Sequence, residues 1–356
     1  MGPATSCGKN ATNNANSRND LLGCKFPRFR SCRRSKGGGL LSNLMKIAVA
    51  GLGTVGVGLV RLLEENKESL RARCGRQIEI SAVSARDRSK DRGIELHDSV
   101  AWYDDPVLMA GEADAEVIVE LIGGADGIAL EICNQAISSR RHVVTANKAL
   151  IASYGNELFE LAKNNNVEIG FEASVAGGTP VIKALREGLV ANKVKWFAGI
   201  LNGTSNFILT EMELNQSSFK SALKKSQELG LAEADPSLDI NGTDAAQKAS
   251  ILAALAFHVP FDFSFVSFEG IEEVELEDLK YAKELGYSIK HIALGELDGN
   301  VVCVSAYPTL VDKETLLSQV GKEMNALEIF SEGVGSTVYY GPGAGPEPTA
   351  SAVIAD

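Results

Sequence analysis

Apolar and polar positions in the first half of the chain predict an alternation of short strands and helices. Apolar, β-branched runs, which suit buried parallel strands, occur at residues 46–50, 78–85, 116–121, 142–146 and 167–171. Helical periodicity follows the first run from residue 57 and returns at residues 128–138 and 158–163. Strands that alternate with helices in this order predict an α/β fold built on a parallel sheet.

The second half of the chain alternates less regularly. Strand-like runs lie at residues 196–201, 265–270 and 301–308, and helices begin near Phe207 and Thr349. A further apolar helical run at residues 249–257 follows Asn241, a short polar residue that can cap a helix start. These elements predict a second, α+β domain with a mixed sheet.

A glycine-rich turn joins the first predicted strand to the helix behind it. Gly51, Gly53 and Gly56 form a G-x-G-x-x-G pattern that encloses Thr54 and Val55. Such glycines permit a tight turn and a close approach of the backbone to a pyrophosphate, whose charge the helix N-terminus favours. Between a strand and a helix, the pattern predicts a Rossmann-type NAD(P)-binding domain. The alternative is a turn that only packs the helix on the strand.

The end of the second strand bears on the choice of dinucleotide. An acidic residue at this place binds the ribose hydroxyls of NAD, whereas the 2′-phosphate of NADP requires cations. Arg86 begins a basic segment at residues 86–90, which favours NADP, while Asp87 keeps NAD open. A solvated charged loop is the remaining interpretation.

Residues 230–248 bring four carboxylates and a lysine to the start of the buried helical run. Asp244 and Lys248 are four residues apart, so they share one helix face. An exposed pair of this kind contributes only about 0.2–0.5 kcal/mol. The alternative is a lysine held beside carboxylates in a cleft for proton transfer. Lys148 follows another strand and is expected at the rim where parallel sheets bind ligands.

Composition excludes several classes of protein. The chain has 356 residues, of which 45% are hydrophobic and 23% charged, and its net charge of −11 argues against nucleic-acid binding. No uncharged run is long enough to span a membrane. Cysteines without a CxxC pair and scattered histidines argue against a disulfide framework and a transition-metal site. We expect a cytoplasmic location.

The first 44 residues differ from the rest of the chain. They are basic, rich in Asn, Ser and Gly, and show no amphipathic register. We expect residues 1–44 to be a disordered leader or an extension ahead of a start at Met45. A transit peptide is the alternative, because such segments are rich in Arg and Ser and poor in acidic residues.

Six motifs in this order resemble the homoserine dehydrogenase family. They are A-G-L-G-T-V-G at 50–56, T-A-N-K at 145–148, E-A-S-V-A-G-G-T-P at 172–180, L-N-G-T-S-N at 201–206, the acidic stretch at 230–248, and G-P-G-A-G with T-A at 341–350. The resemblance covers residues 45–356. It implies a homodimer that interconverts L-homoserine and L-aspartate 4-semialdehyde with NAD(P), a step toward threonine, methionine and isoleucine.

The resemblance also implies roles for single residues. Lys248 matches the lysine that exchanges a proton with the carbonyl oxygen, Asp244 matches its partner acid, and Lys148 matches the lysine that touches nicotinamide and substrate. The implied substrate residues are Glu233, Asp239, Gly203 and Thr204. The implied nucleotide residues are Gly51, Gly53, Thr54, Val55, Gly56, Arg86, Gly123, Thr145, Lys148 and Gly345. The implied sodium site comprises Glu172 and the carbonyls of Val175, Gly177 and Thr179; from the residues alone, Glu172 also suits a buried acid capped by backbone amides.

The expected domains are a nucleotide-binding domain at 45–173, a catalytic and dimerisation domain at 174–340, and a segment at 341–356 that returns to the first domain. Many family members carry a regulatory domain after this point, and we do not expect one here, nor feedback through it by threonine.

One alternative function is another semialdehyde oxidoreductase, whose thioester chemistry needs a nucleophilic cysteine. Cys133 and Cys303 lie in apolar runs without a neighbouring base. The other alternative is a catalytically inactive nucleotide-binding homologue.

Overall fold

The structure, a computed structural model, describes residues 43–356. Nearly all of the leader expected at residues 1–44 therefore lies outside the described residues. The described chain forms two six-stranded sheets, one in each half. No helix among these residues has both the length and the apolar character that a membrane crossing requires.

The first sheet is parallel throughout, with the strand order β3-β2-β1-β4-β5-β6. Its strands are β1 (Leu44–Ala50), β2 (Gln77–Ser84), β3 (Ala101–Tyr103), β4 (Val117–Glu120), β5 (His142–Thr145) and β6 (Ile169–Gly170). The connecting helices are α1 (Thr54–Glu65), α2 (Lys67–Cys74), α3 (Pro106–Glu112), α4 (Ile128–Ser138) and α5 (Lys148–Asn165). Apolar clusters cover both faces of β1, so the predicted Rossmann-type α/β domain is confirmed.

The second sheet is mixed, with the order β12-β11-β7-β9-β10-β8. Its strands are β7 (Val194–Ile200), β8 (Ser267–Phe268), β9 (Tyr287–Asp298), β10 (Val301–Asp312), β11 (Met324–Ser331) and β12 (Gly335–Pro342). Only the short pair of β8 and β10 is parallel among the described strands of this sheet. The helices of this half are α6 (Val181–Lys183), α7 (Gly203–Asn215), α8 (Phe219–Glu228), α9 (Ser237–Ile240), α10 (Thr243–Phe257) and α11 (Leu276–Glu284). The predicted mixed sheet is confirmed.

Helix α10 is buried along most of its length and joins the two halves. It packs on β9 and β10 of the second sheet and on α5 of the first half. It begins after Gly242, whose φ of 86° is left-handed, while the Oδ1 of Asn241 accepts a hydrogen bond from the Thr243 N–H at 2.9 Å. Because α5 and α10 lie together, the first turns of both helices can contribute to one site.

The last helix, α12 (Pro346–Ala355), returns to the first sheet and packs against α1. Ala350 and Val353 are buried in the same apolar cluster as Val49 of β1. The approach is close, since a Cβ added at Gly58 would lie 2.8 Å from the carbonyl oxygen of Pro346. The covering layer on this side of the nucleotide-binding sheet thus comes from both ends of the described chain.

Several predicted element bounds are wrong. Helix α5 begins at Lys148 rather than at residue 158, and α7 begins at Gly203 rather than near Phe207. The strand expected at 265–270 is reduced to Ser267–Phe268, and β9, β11 and β12 were not predicted. The helix starts were missed because Asn147 and Asn202 cap them with their side chains from within loop-like, polar motifs.

Candidate active site

The glycine turn leaves the N-terminus of α1 open. The φ of Gly51 is 106°, and a Cβ at this position would lie 2.8 Å from the carbonyl oxygen of Leu121. A Cβ at Gly56 would lie 2.2 Å from the carbonyl oxygen of Gly51, whereas a Cβ at Gly53 would meet no described atom within 4 Å. No described side chain caps α1, and Thr54 and Val55 in its first turn are not buried. The turn therefore offers free backbone N–H groups to an anion.

Glu120 organises the rim beside this turn. It is fully buried at the end of β4, and its Oε1 accepts hydrogen bonds from the backbone N–H groups of Ile122 and Gly123 at 2.6 and 3.0 Å. Its Oε2 accepts from the Oγ1 of Thr145 at 2.7 Å. Glu120 thus fixes Gly123 and Thr145, the two residues predicted to bind the nucleotide here, at neighbouring strand ends, a role that sequence reasoning missed.

The basic loop after β2 folds toward the glycine turn. Arg86 is exposed there. The Nε of Arg92 donates to the carbonyl oxygen of Leu52, inside the glycine turn, at 3.1 Å. The guanidinium carbons of Arg88 and Arg92 each lie 5.7 Å from the centroid of the Trp102 ring. The loop is therefore held in place by an arginine that the sequence analysis did not single out.

A lysine–carboxylate cluster (Lys148, Asp239, Asp244 and Lys248) forms where α5 and α10 begin. The Nζ of Lys248 donates to the Oδ2 of Asp244 and to the carbonyl oxygen of Leu201, both at 2.7 Å. The Nζ of Lys148 lies 3.0 Å from the Oδ1 of Asp244. Asp244 is 5% and Lys248 is 9% exposed, so this is a buried pair rather than a surface ion pair.

Asn202 holds the two aspartates of the cluster side by side. Its Nδ2 donates to the Oδ1 of Asp239 at 2.7 Å and to the Oδ2 of Asp244 at 2.8 Å. Its Oδ1 accepts from the backbone N–H of Ser205 at 2.7 Å, which caps α7. One side chain thereby connects a helix start to both carboxylates.

The electrostatics of the cluster separate its two aspartates. Burial alone would raise the pKa of Asp244, but the ammonium groups of Lys248 and Lys148 hold this pKa well below the ordinary range. Burial raises the pKa of Asp239, and the charge of Asp244 raises it further. The charge of Asp244, opposed by burial, raises the pKa of Lys148. Asp244 is thus a permanent anion between two lysines.

The remaining predicted substrate residues surround this cluster. Gly203 begins α7, and a Cβ at this position would lie 2.5 Å from the carbonyl oxygen of Glu323. The Oγ1 of Thr204 donates to the carbonyl oxygen of Leu231 at 3.2 Å. Glu233 is exposed, and its charge contributes to the raised pKa of Lys148. The structure therefore brings the acidic loop, α7 and α10 to one place.

The segment between the two sheets contains the predicted cation residues. The carboxylate of Glu172 is buried, and it accepts hydrogen bonds from the backbone N–H groups of Ile182 at 2.9 Å and Lys183 at 2.7 Å. This is the arrangement of a buried acid capped by amides. Burial raises the pKa of Glu172, against the effect of the two amides. Within residues 43–356, no group of three or more His, Cys, Asp or Glu side chains can hold a metal ion.

Backbone oxygens rather than carboxylates could hold a cation in this segment. Val175, Gly177 and Thr179 lie in the turn after Glu172, and Val175 and Thr179 are buried. The Oγ1 of Thr179 is buried without a hydrogen-bond partner among the described residues. A hard monovalent cation fits such neutral oxygen donors better than a transition metal does.

The G-P-G-A-G turn connects this segment to α12. The backbone N–H of Gly178 donates to the carbonyl oxygen of Pro342 at 3.1 Å, and a Cβ at Gly177 would lie 2.7 Å from the carbonyl oxygen of Gly343. Gly345, with a φ of 123°, then precedes the first turn of α12. The turn is thus packed between the inter-sheet segment and the helix that covers the nucleotide-binding sheet.

The two candidate cysteines, Cys133 and Cys303, differ in burial. Cys133 is buried on α4, and burial raises the pKa of its thiol. Cys303 lies on β10, away from the cluster in sequence and exposed. The buried Cys133 is therefore unsuited to the thioester chemistry of the alternative semialdehyde oxidoreductase.

A parallel sheet with an open glycine turn, next to a buried lysine–carboxylate cluster, defines an NAD(P)-dependent oxidoreductase. The family model described as homoserine dehydrogenase, NAD binding domain, matches residues 51–172, and the model described as homoserine dehydrogenase matches residues 180–356. The homoserine dehydrogenase of Neisseria gonorrhoeae is 49% identical over 312 residues, which are 88% of this chain and 71% of that protein. The chain belongs to the homoserine dehydrogenase family.

Solved structures agree with this assignment. A homoserine dehydrogenase from Thiobacillus denitrificans is 45% identical with a TM-score of 0.83, over 88% of this chain and 72% of that chain. A hyperthermophilic archaeal homoserine dehydrogenase in complex with NADPH is 28% identical with a TM-score of 0.74, over 88% and 96% of the two chains. The shared fold includes both sheets.

Proposed function

We propose that this protein interconverts L-homoserine and L-aspartate 4-semialdehyde with NAD(P), as a homoserine dehydrogenase. The observation that carries the proposal is the Lys248 ammonium, buried between Asp244 and the Leu201 carbonyl. Membership of the family supplies the substrate. The same proposal includes a role in threonine, methionine and isoleucine biosynthesis and a cytoplasmic location.

Lys248 is the proton donor and acceptor in this proposal. An ammonium group has three N–H donors, and two of them are directed to Asp244 and Leu201. The third is available to the substrate oxygen, where negative charge develops as the aldehyde is reduced. In the reverse direction the amine accepts the hydroxyl proton. The dinucleotide, when bound, donates or accepts the hydride.

The carboxylates hold the amino acid. The substrate carries an ammonium group that requires an acidic partner, and Glu233 is exposed and free to turn toward it. Asp239 is fixed by Asn202 and faces the same cluster. Lys148 completes the contact with nicotinamide and substrate, and Gly203 and Thr204 shape the backbone around them.

NADP is the preferred dinucleotide in this proposal. The exposed Arg86 is placed to bind a 2′-phosphate, and the Oδ1 of Asp87 already accepts hydrogen bonds from the N–H and Oγ of Ser89, at 2.8 and 2.7 Å. Asp87 is thus less available to ribose hydroxyls. The archaeal relative bound to NADPH is consistent with this choice.

A monovalent cation, sodium, and a homodimer complete the proposal. The carbonyls of Val175, Gly177 and Thr179, next to Glu172, would hold the cation and stiffen the segment between the sheets.

The outer face of the second sheet supports the dimer, because strand register aligns Trp196 with Phe330, and Leu294, Phe330 and Val338 are each more than a third exposed. A second copy would cover this apolar face. Light scattering measures the oligomeric state, and a monomer at all concentrations would contradict it.

The activity is tested by homoserine-dependent reduction of NADP in a spectrophotometer, with NAD measured in parallel. We expect turnover with both dinucleotides and a lower KM for NADP. Turnover with aspartate semialdehyde and phosphate, but none with homoserine, would instead indicate the other semialdehyde chemistry. Dinucleotide binding without turnover of any of these substrates would indicate an inactive homologue.

A further inference from the structure

Asn325 contacts the same oxygen atom as the Lys248 ammonium. It is the second residue of β11 and is 1% exposed. Its Nδ2 donates to the carbonyl oxygen of Leu201 at 3.0 Å, and the Nζ of Lys248 donates to this oxygen at 2.7 Å. A carbonyl oxygen has two lone pairs, so these two donors occupy it fully.

The sheet register brings Asn325 to this position. Strand β11 pairs antiparallel with β7, and Ala326 lies opposite Ile200, the last residue of β7. Asn325, which precedes Ala326, and Leu201, which follows Ile200, are therefore neighbours just beyond this pair. The Leu201 carbonyl is held from one side by α10 and from the other by β11.

Asn325 also packs directly on the G-P-G-A-G turn. A Cβ added at Gly343 would lie 2.0 to 2.4 Å from three atoms of the Asn325 amide group. No side chain larger than glycine fits between them. Gly343 in turn packs against Gly177, in the segment that joins the two sheets. Asn325 therefore connects the Leu201 carbonyl, to which Lys248 donates, with this segment.

The amide oxygen of Asn325 has no hydrogen-bond partner among the described residues, although it is buried. An unpaired buried acceptor costs stability, so its presence calls for a specific explanation. The amide nitrogen supplies that explanation by holding the Leu201 carbonyl. A residue selected for packing alone would carry no such penalty.

We infer that Asn325 is a positioning residue for Lys248. It fixes the Leu201 carbonyl, which orients the Lys248 ammonium, and its own amide group is fixed by packing against Gly343 of the G-P-G-A-G turn. This inference rests on the proposed role of Lys248 and deepens it. The titratable groups around Lys248 are Asp244, Asp239, Lys148, Glu233, whose charge acts on Lys148, and the buried His291 of β9, which interacts with Asp244. Substitution of Asn325 alters none of them chemically.

Asn325→Leu and Asn325→Asp test the inference. Both remove the N–H donor, so we expect kcat to fall by about 10–100-fold through misplacement of the ammonium, with the KM for NADP nearly unchanged. Asn325→Asp alone adds a carboxylate beside the ammonium and favours its charged form. The rise of kcat with pH in homoserine oxidation should therefore move to higher pH by about one unit or more in Asn325→Asp, and not in Asn325→Leu.

Asn156→Asp is the matched control. Asn156 also bonds to backbone, with its Nδ2 donating to the carbonyl oxygen of Phe261 at 2.8 Å and its Oδ1 accepting from the Phe261 N–H at 3.0 Å, but it lies outside the cluster. Asn156→Asp should leave the pH dependence of kcat for homoserine oxidation unchanged. An unshifted profile in Asn325→Asp, or a loss confined to melting temperature, would overturn the inference. Full turnover of Lys248→Ala would instead overturn the proposed role of the lysine.

A double substitution tests the link to the turn. Gly343→Ala forces the Asn325 amide away, so we expect a loss of kcat similar to that of Asn325→Ala. Since Asn325→Ala removes the clashing group, the double variant should be no worse than Asn325→Ala alone. Additive losses of kcat would show that the glycine acts independently of Asn325.

Discussion

The glycine turn and the lysine–carboxylate cluster are built in opposite ways. The turn is made by consecutive residues, and its chemistry comes from backbone N–H groups that no described side chain caps. The cluster is made by side chains from α5, α9 and α10 together with the end of β7. Asp244 and Lys248 are buried, Lys148 and Asp239 are half-buried, and hydrogen bonds and ion pairs connect them directly or through Asn202. The first region presents an open site for an anion, and the second maintains the proposed proton-transfer group at a cost in buried charge.

This difference separates binding from catalysis. Changes in the turn should alter affinity for the dinucleotide, because the uncapped backbone N–H groups there are proposed to bind its pyrophosphate. Changes in the cluster should alter turnover or substrate affinity, because its side chains are proposed to contact the reacting part of the substrate. Helix α5 spans the two regions: its first residue, Lys148, belongs to the cluster, and its buried Leu150 and Ile151 share an apolar cluster with β1 of the nucleotide-binding sheet.

Lys248→Ala should give the largest effect. Loss of a general acid and base lowers turnover by about 10²–10⁴-fold, while affinity for NADPH stays near that of the unaltered protein. Steady-state kinetics and a fluorescence titration with NADPH measure the two quantities. Lys225→Ala is the control, since this lysine pairs with Glu211 at 2.6 Å on the surface. Near-normal turnover of Lys248→Ala would refute the assigned role.

Gly56→Ala and Gly53→Ala should separate the contribution of the turn to stability from its contribution to dinucleotide binding. A Cβ at Gly56 meets backbone at 2.2 Å, so this variant should lose both melting temperature and at least about tenfold in NADPH affinity. A Cβ at Gly53 meets no described atom within 4 Å, so it enters open space where a pyrophosphate is proposed to bind. Gly53→Ala should therefore keep its melting temperature and lose affinity. Equal destabilisation of both variants would contradict an open anion site at Gly53.

Asp239→Asn should trade function for stability. The raised pKa of Asp239 means that the folded state favours its protonated form, so its ionisation destabilises the fold increasingly as pH rises from the ordinary aspartate range through the raised value. The variant should melt at a higher temperature at neutral pH, with the difference vanishing in acid, and its KM for homoserine should rise about tenfold. Thermal scans across pH test the sign. A lower melting temperature of the variant at neutral pH would show that ionised Asp239 does not destabilise the fold.

Arg86→Ala should give the smallest effect. This exposed residue is proposed to contact only the 2′-phosphate, so the variant should bind NADPH several-fold more weakly, about the effect of one exposed charge contact, and bind NADH unchanged. Titration with both dinucleotides measures the ratio, with Arg73→Ala on α2 as a control. The same loss for NADH and NADPH would show that Arg86 does not recognise the phosphate.

The sequence predicted the glycine turn well because all of its information is local. The strand, the glycines and the following helix are consecutive, and the structure places α1 directly after Gly53. Helix α5 was underestimated for a tertiary reason. Gly155 lies in its middle because Phe261 packs against the helix there, where a Cβ would lie 2.9 Å from the ring, and this small residue interrupts the apolar pattern.

The cluster was only partly predictable. Asp244 and Lys248 share a helix face, which spacing reveals, but their burial depends on α5 and β7. Asn325 could not be recognised locally, since its partner, Leu201, lies 124 residues earlier and meets it only through the pairing of β11 with β7. Glu120 was read as an ordinary strand residue, because the two loops that it holds come together only when β4 and β5 pair.

The return of α12 to the first sheet has a consequence for biosynthesis. Val49 and its neighbours on the α1 side of the sheet stay partly uncovered until Ala350 and Val353 have left the ribosome. The domain that is translated first is therefore completed last, and nascent chains expose an apolar surface throughout elongation of the second half. For the same reason the two halves cannot be separated by one cut in the gene without stripping the nucleotide-binding half of its final layer.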